Sequence, residues 1–136
     1  IKKFCDAIKN EEDCVKCWGT GSPLREFMHV EDLAKAVIFC LENWDPDICE
    51  ESFNSNGPQY FLNVGTGKDI SIRGLAEKIA FHTGYKGEII WDEKIPDGTP
   101  RKLLDISRIK RLGWKSTISL DEGIIRTISD YKKFHQ

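Results

Sequence analysis

The chain has 136 residues, of which 40% are hydrophobic, and its 20 basic and 22 acidic side chains leave a net charge of −2. That balance offers no electrostatic case for nucleic acid or an acidic membrane surface as partner. No apolar run is long enough for a transmembrane helix, and the length suits one domain with a single core. Five cysteines at irregular spacing argue against a secreted disulfide framework, so a reducing cytoplasm is the expected compartment.

Residues 1–10 place Phe4, Ala7 and Ile8 on one side of a helix but contain no start signal. The first fourteen residues are therefore expected to be the end of a helix from a preceding part of a longer chain. Val15 to Trp18 and Arg25 to Val30 read as strands joined by a Gly-Pro loop, and Glu31 to Trp44 as a helix whose buried face carries positions 33, 37, 40, 41 and 44. Residues 45–59, "DPDICEESFNSNGPQ", have acidic groups, two prolines and no period, and are expected to form an exposed loop.

Tyr60 to Val64 is a strand candidate. Ser71 can N-cap a helix with 72, 75, 76, 79 and 80 on its apolar face, stopping before Gly84. Glu88 to Trp91 reads as a strand, and Asp92 to Lys102 as polar and turn-rich. Asp105 can cap a short helix ending at Gly113, and Ser119 with Glu122 forms a capping box for a last helix with 120, 124, 127, 128 and 131 apolar. Short strands alternating with helices indicate a small mixed α/β fold.

Two glycine pairs, in "WGTGSPLREF" and "NVGTGKDIS", suggest phosphate loops, but neither meets the chemistry. A dinucleotide fingerprint needs G-x-G-x-x-G opening a helix after a strand, and Leu24 and Ile70 stand where the third glycine belongs. Both pairs are expected to be turns that use positive φ. Cys14 and Cys17 have the spacing of half a zinc site or a redox pair, yet no second pair completes four ligands. His29 is read as tying a strand end to the acidic first turn made by Glu31 and Asp32, not as an acid or base.

The basic groups are more suggestive. Arg25 follows the turn after Trp18, and "PDGTPRKLLD" presents Asp97, Arg101 and Lys102 ahead of a capped helix. A guanidinium binds a diphosphate bidentately, an ammonium adds a point charge, an indole offers an apolar face and a carboxylate accepts sugar hydroxyls. Together these describe a sugar-nucleotide pocket; separately they are solvated charges and a core tryptophan.

"WGTGSPLREFMHVEDLAKAV", "FLNVGTGKDISIRGLAEKIA", "GYKGEIIWDEKIPDGTPRKLLDISRIKRLGW" and "ISLDEGIIRT" cover nearly the whole chain. In these stretches it resembles the C-terminal part of the GDP-L-fucose synthase family, which lies within the extended short-chain dehydrogenase superfamily. The resemblance implies that residues 1–136 are the C-terminal nucleotide-sugar-binding region of a larger enzyme. An N-terminal Rossmann domain, outside this sequence, would bind NADP(H) and carry the Ser, Tyr and Lys of hydride and proton transfer, with the Cys and His used for epimerisation.

Trp18, Arg25, Asp97 and Lys102 match the family's substrate contacts: Trp18 on the nucleotide side, Arg25 and Lys102 on the diphosphate, Asp97 on hydroxyls. No catalytic, cofactor or metal residue is inherited by this segment, which is expected to be inactive alone. The full enzyme is implied to be a homodimer that epimerises and reduces GDP-4-keto-6-deoxy-mannose. The alternatives are the same region of another nucleotide-sugar epimerase or dehydratase, and a stand-alone, non-catalytic binding module.

Overall fold

The computed structural model describes residues 1–47, 53–54, 57–58 and 60–135. In chain order the elements are α1 (Lys2–Lys9), β1 (Cys14–Trp18), β2 (Leu24–Glu26), α2 (Val30–Asn43), β3 (Phe53–Asn54), β4 (Gly57–Pro58) and β5 (Asp69–Ser71). Then follow α3 (Ile72–Thr83), β6 (Glu88–Asp92), β7 (Arg101–Lys102), α4 (Ser107–Arg111) and α5 (Leu120–His135). They divide into two compact units: residues 1–25, 69–102 and 120–136 in the first, and 26–68 and 103–119 in the second.

In the first unit β1 and β6 pair in parallel, Val15 opposite Ile89 and Cys17 opposite Trp91. Strand alternation sends Val15 and Cys17 to one face, where Val15 joins a core of Phe4, Ala7, Ala76, Ile79, Tyr85, Ile124 and Ile128. Cys14 points to the other face and is exposed. Residues three apart on a strand face opposite ways, so Cys14 and Cys17 do not converge on one ion or form one disulfide. Burial also pushes the Cys17 thiol up, away from the thiolate that metal or redox chemistry needs.

Ser71 caps α3 as its position predicts, its hydroxyl accepting from the Gly74 N–H at 3.0 Å. Gly84 ends the helix in the left-handed region at φ 81°. Ala76 and Ile79 are buried on the expected face, as are Ile124 and Ile128 of α5. Lys78 and His82 of α3 both reach Asp121 at the start of α5, each at 2.8 Å.

A second sheet has the order β5-β2-β7. β2 and β7 run parallel, with Leu24 opposite Arg101 and Arg25 opposite Lys102. The strand expected over Arg25 to Val30 is thus shorter, ending at Glu26, because Val30 already opens α2. The stretch Asp92 to Lys102, expected to be polar and turn-rich, supplies β7 at its end, and Asp69–Ser71 forms β5.

The second unit has its own core of Ala36, Ile106, Ile109 and Trp114, with Met28, Phe39, Cys40, Leu62 and Val64 packed against it. The single core that the length allowed is therefore two. His29 N-caps α2, its Nδ1 accepting from the Glu31 N–H at 3.3 Å, the structural role assigned to it. The buried face of α2 needs correction: Asp32 and Ala36 are buried, whereas Leu33, Val37 and Leu41 are exposed. The helix is apolar over more than one face, and the side carrying small Ala36 is the one that fits against Ile109 and Trp114.

Asp32 is only 1% exposed. Its carboxylate accepts from Thr117 N at 3.0 Å, Thr117 Oγ1 at 2.9 Å and Ile118 N at 2.8 Å. Asp105 accepts from the Ser107 N–H at 2.9 Å at the start of α4, and Gly113 follows that helix with φ 103°. Tyr60 to Val64 pairs with no strand among the described residues. Of the expected 45–59 loop, 48–52, 55, 56 and 59 lie outside the described residues, and β3 and β4 form a short antiparallel ladder within it.

Candidate functional site

Trp18, Arg25, Asp97 and Lys102 all lie in the first unit. β1 delivers Trp18 at its C-terminal end, where the indole is 68% exposed. An aromatic group so open to water is not a core residue, which removes the bland reading of Trp18. Lys3 of α1 places its Nζ 5.3 Å from the centre of the Trp18 ring while donating to the Lys16 carbonyl at 3.0 Å. Its proximity to Trp18 was not legible in the sequence, since the two are fifteen positions apart and belong to different elements.

Beyond Trp18 the chain turns through Gly19 and Gly21, at φ 72° and 76°. The Gly19 N–H donates to Asp92 O at 3.0 Å, and the first backbone N–H groups of α3 take the turn's carbonyls, Ile72 N to Pro23 O at 3.0 Å and Arg73 N to Gly21 O at 2.8 Å. The amides of that helix start are thus occupied by the turn itself. A Cβ at Gly21 would lie 2.6 Å from the Trp91 ring. Gly21→Ala is expected to cost about 1–2 kcal/mol from the left-handed backbone alone, read as a lowered urea midpoint, with displacement of Trp91 adding to it.

Arg25 and Lys102 are register partners on parallel β2 and β7, so their side chains leave the same face of the sheet. Arg25 Nη1 donates to the Leu24 carbonyl at 2.6 Å, and its Nη2 lies beside Gly98. Among the described residues no carboxylate pairs with either cation, whereas neighbouring Arg101 is paired through Nε with Asp69 at 2.5 Å. Two adjacent uncompensated cations repel each other and favour an anion between them. Asp97 accepts from Thr20 N at 3.0 Å and Thr20 Oγ1 at 2.5 Å, and these bonds hold its carboxyl below the usual range.

Neither glycine pair suits a dinucleotide. The first leads into β2 and not into a helix. In the second, the Gly67 N–H donates to Glu26 Oε1 at 2.5 Å, and a Cβ at Gly65 would meet that carboxylate at 2.6 Å. Thr66 Oγ1 and Leu104 N donate to Glu26 as well, at 3.2 and 3.3 Å. The chain's own Glu26 fills the place a phosphate would take, so these residues do not fit NADP(H). Among the described residues no cluster of three potential metal ligands occurs, and no helix is long and apolar enough to cross a membrane.

Residues 1–55 match the NAD dependent epimerase/dehydratase family. The fold is a small mixed α/β segment of the extended short-chain dehydrogenase type. It is similar to a GDP-6-OMe-4-keto-L-xylo-heptose reductase from Campylobacter jejuni, with a TM-score of 0.82 and 35% identity over 91% of this chain and 35% of that one. A GDP-mannoheptose C4 reductase from the same organism, solved with NADP bound, gives a TM-score of 0.71 and 35% identity over 89% of this chain and 33% of that one.

Within that class the sequence resembles GDP-L-fucose synthases, being 43% identical to the Escherichia coli K12 enzyme over 129 residues. That match takes in 93% of this chain but 39% of the bacterial enzyme, so the chain spans well under half the length of this relative.

Proposed function

We propose that this chain is the nucleotide-sugar-binding, C-terminal portion of a GDP-L-fucose synthase. The observation that carries the reading is the pair Arg25 and Lys102, adjacent in register and without carboxylate partners among the described residues, on the same unit as the exposed Trp18. A diphosphate bridges the two cations, the indole covers the nucleotide side, and Asp97 stands at the rim. The similarity to enzymes named for GDP-linked sugars supports the same ligand class. NADP(H), and the groups that move hydride and protons, belong outside these residues, and the full enzyme acts as a homodimer.

The enzyme containing this segment, given GDP-4-keto-6-deoxy-mannose and NADPH, is expected to form GDP-L-fucose. The 136 residues alone are expected to oxidise no NADPH. Absence of product from the intact enzyme overturns the fucose synthase assignment, and turnover by the segment overturns the division of labour. A second reading is favoured by the similarity to the heptose reductases: reduction of a GDP-4-keto-heptose in the same assay would select it. A stand-alone binding module would bind GDP-sugar with no catalytic domain in its reading frame.

A further inference from the structure

The turn between β1 and β2 is held by groups that no motif marks. Thr20 has three polar atoms and all are engaged: its N–H and hydroxyl donate to the two carboxylate oxygens of Asp97, and its carbonyl accepts from Arg73 Nη2 at 2.7 Å. The Arg73 guanidinium also stacks 4.6 Å from the centre of the Trp91 ring, the same ring that packs against Gly21. A turn with two positive-φ glycines has many conformations open to it, and unless it is held beforehand the ordering falls on the binding step.

We propose that Asp97 and Arg73 are positioning residues. Through Thr20 they lock the turn that sets Trp18 and Arg25 in place, and the Asp97 carboxylate serves the turn instead of the ligand. The inference rests on the nucleotide-sugar reading of Trp18 and Arg25, and reassigns Asp97 within it. A carboxylate beside a diphosphate would otherwise repel it; spent on an N–H and a hydroxyl, its charge is dispersed where the turn needs an acceptor.

The test uses the intact enzyme labelled with 5-fluorotryptophan, the Trp18 fluorine line being assigned by Trp18→Phe, with GDP as probe. Wild type is expected to show one sharp Trp18 line that shifts with GDP. Thr20→Val, Asp97→Ala and Arg73→Met are each expected to broaden or move that line without ligand and to weaken GDP about tenfold. The double variant Thr20→Val/Asp97→Ala is expected to lose no more than Asp97→Ala alone, because that change already removes the acceptor of the Thr20 hydroxyl.

If Asp97 contacts ligand directly, Asp97→Ala weakens GDP while the free Trp18 line stays as in wild type, and Thr20→Val binds normally; that result overturns the proposal. If the wild-type line ignores GDP, the binding reading of Trp18 falls and the positioning role falls with it. The ligand-free lines of the variants, moved or unmoved, then still say whether the clamp exists, so the two failures are distinguishable.

Discussion

Arg25→Ala in the intact enzyme is expected to weaken GDP-sugar binding by about 1.5–3 kcal/mol, roughly a 10- to 150-fold rise in Kd measured by calorimetry. The guanidinium is half-buried between its own strand and Gly98, and its charge has no carboxylate partner among the described residues. Its removal therefore exposes a loss on the ligand side that no internal ion pair offsets. Lys102→Ala is expected to lie at the low end of the same range, since a more exposed ammonium is screened by water and salt. Arg101→Ala serves as the contrast, because Arg101 is already paired with Asp69 and is expected to leave GDP-sugar affinity near wild type. Equal affinity in the Arg25 and Lys102 variants and wild type would remove both from the site.

A different part of the chain governs the largest stability effect. Asp32→Ala is expected to cost about 3 kcal/mol in urea unfolding followed through the buried Trp114, because two backbone N–H groups and a hydroxyl lose their acceptor in a dry place. Asp32→Asn is expected to cost less than about 1.5 kcal/mol, since an amide oxygen can take the two N–H donors while its NH₂ turns to the Thr117 hydroxyl.

The wild-type group also sets a pH dependence. Burial works against the Asp32 charge, but its three hydrogen bonds outweigh it and hold the carboxyl below its ordinary value. A depressed folded-state pKa means that this stability is fully present above the unfolded value of roughly 4 and is lost as pH falls through the folded one. Asp32→Asn should flatten that part of the acid limb, and an unchanged limb would show that other carboxylates carry it.

Much of this was legible in local pattern. Ser71 with Gly74, Gly84 in its left-handed cap, His29 at the start of α2 and the apolar stripe of α5 are interactions within a few residues, so spacing alone encodes them. The four candidate residues were singled out for a different reason: the resemblance pointed to them, and a guanidinium, an ammonium, an indole and a carboxylate suit the proposed ligand. Strands β5 and β7 were not, because Asp69, Arg101 and Lys102 carry no apolar alternation and become strands only by pairing with β2. The face chosen by α2 was misread for a similar reason: an apolar period does not say which of two faces meets a core, and Ala36 with buried Asp32 marks it here.

The glycine pairs show where local reading stops. Spacing was enough to exclude a dinucleotide fingerprint, since a missing third glycine is a fact of sequence. That Glu26 occupies the second pair, and that Asp97 and Arg73 grip the first through Thr20, rests on partners 41, 77 and 53 positions apart. Local chemistry along the chain thus settled helix ends and turn glycines, and suggested the ligand class proposed for Arg25, Lys102 and Trp18. Long-range folding settled which charges have a partner among the described residues and which do not, because compensation is a property of neighbours in space and the chain order does not list them.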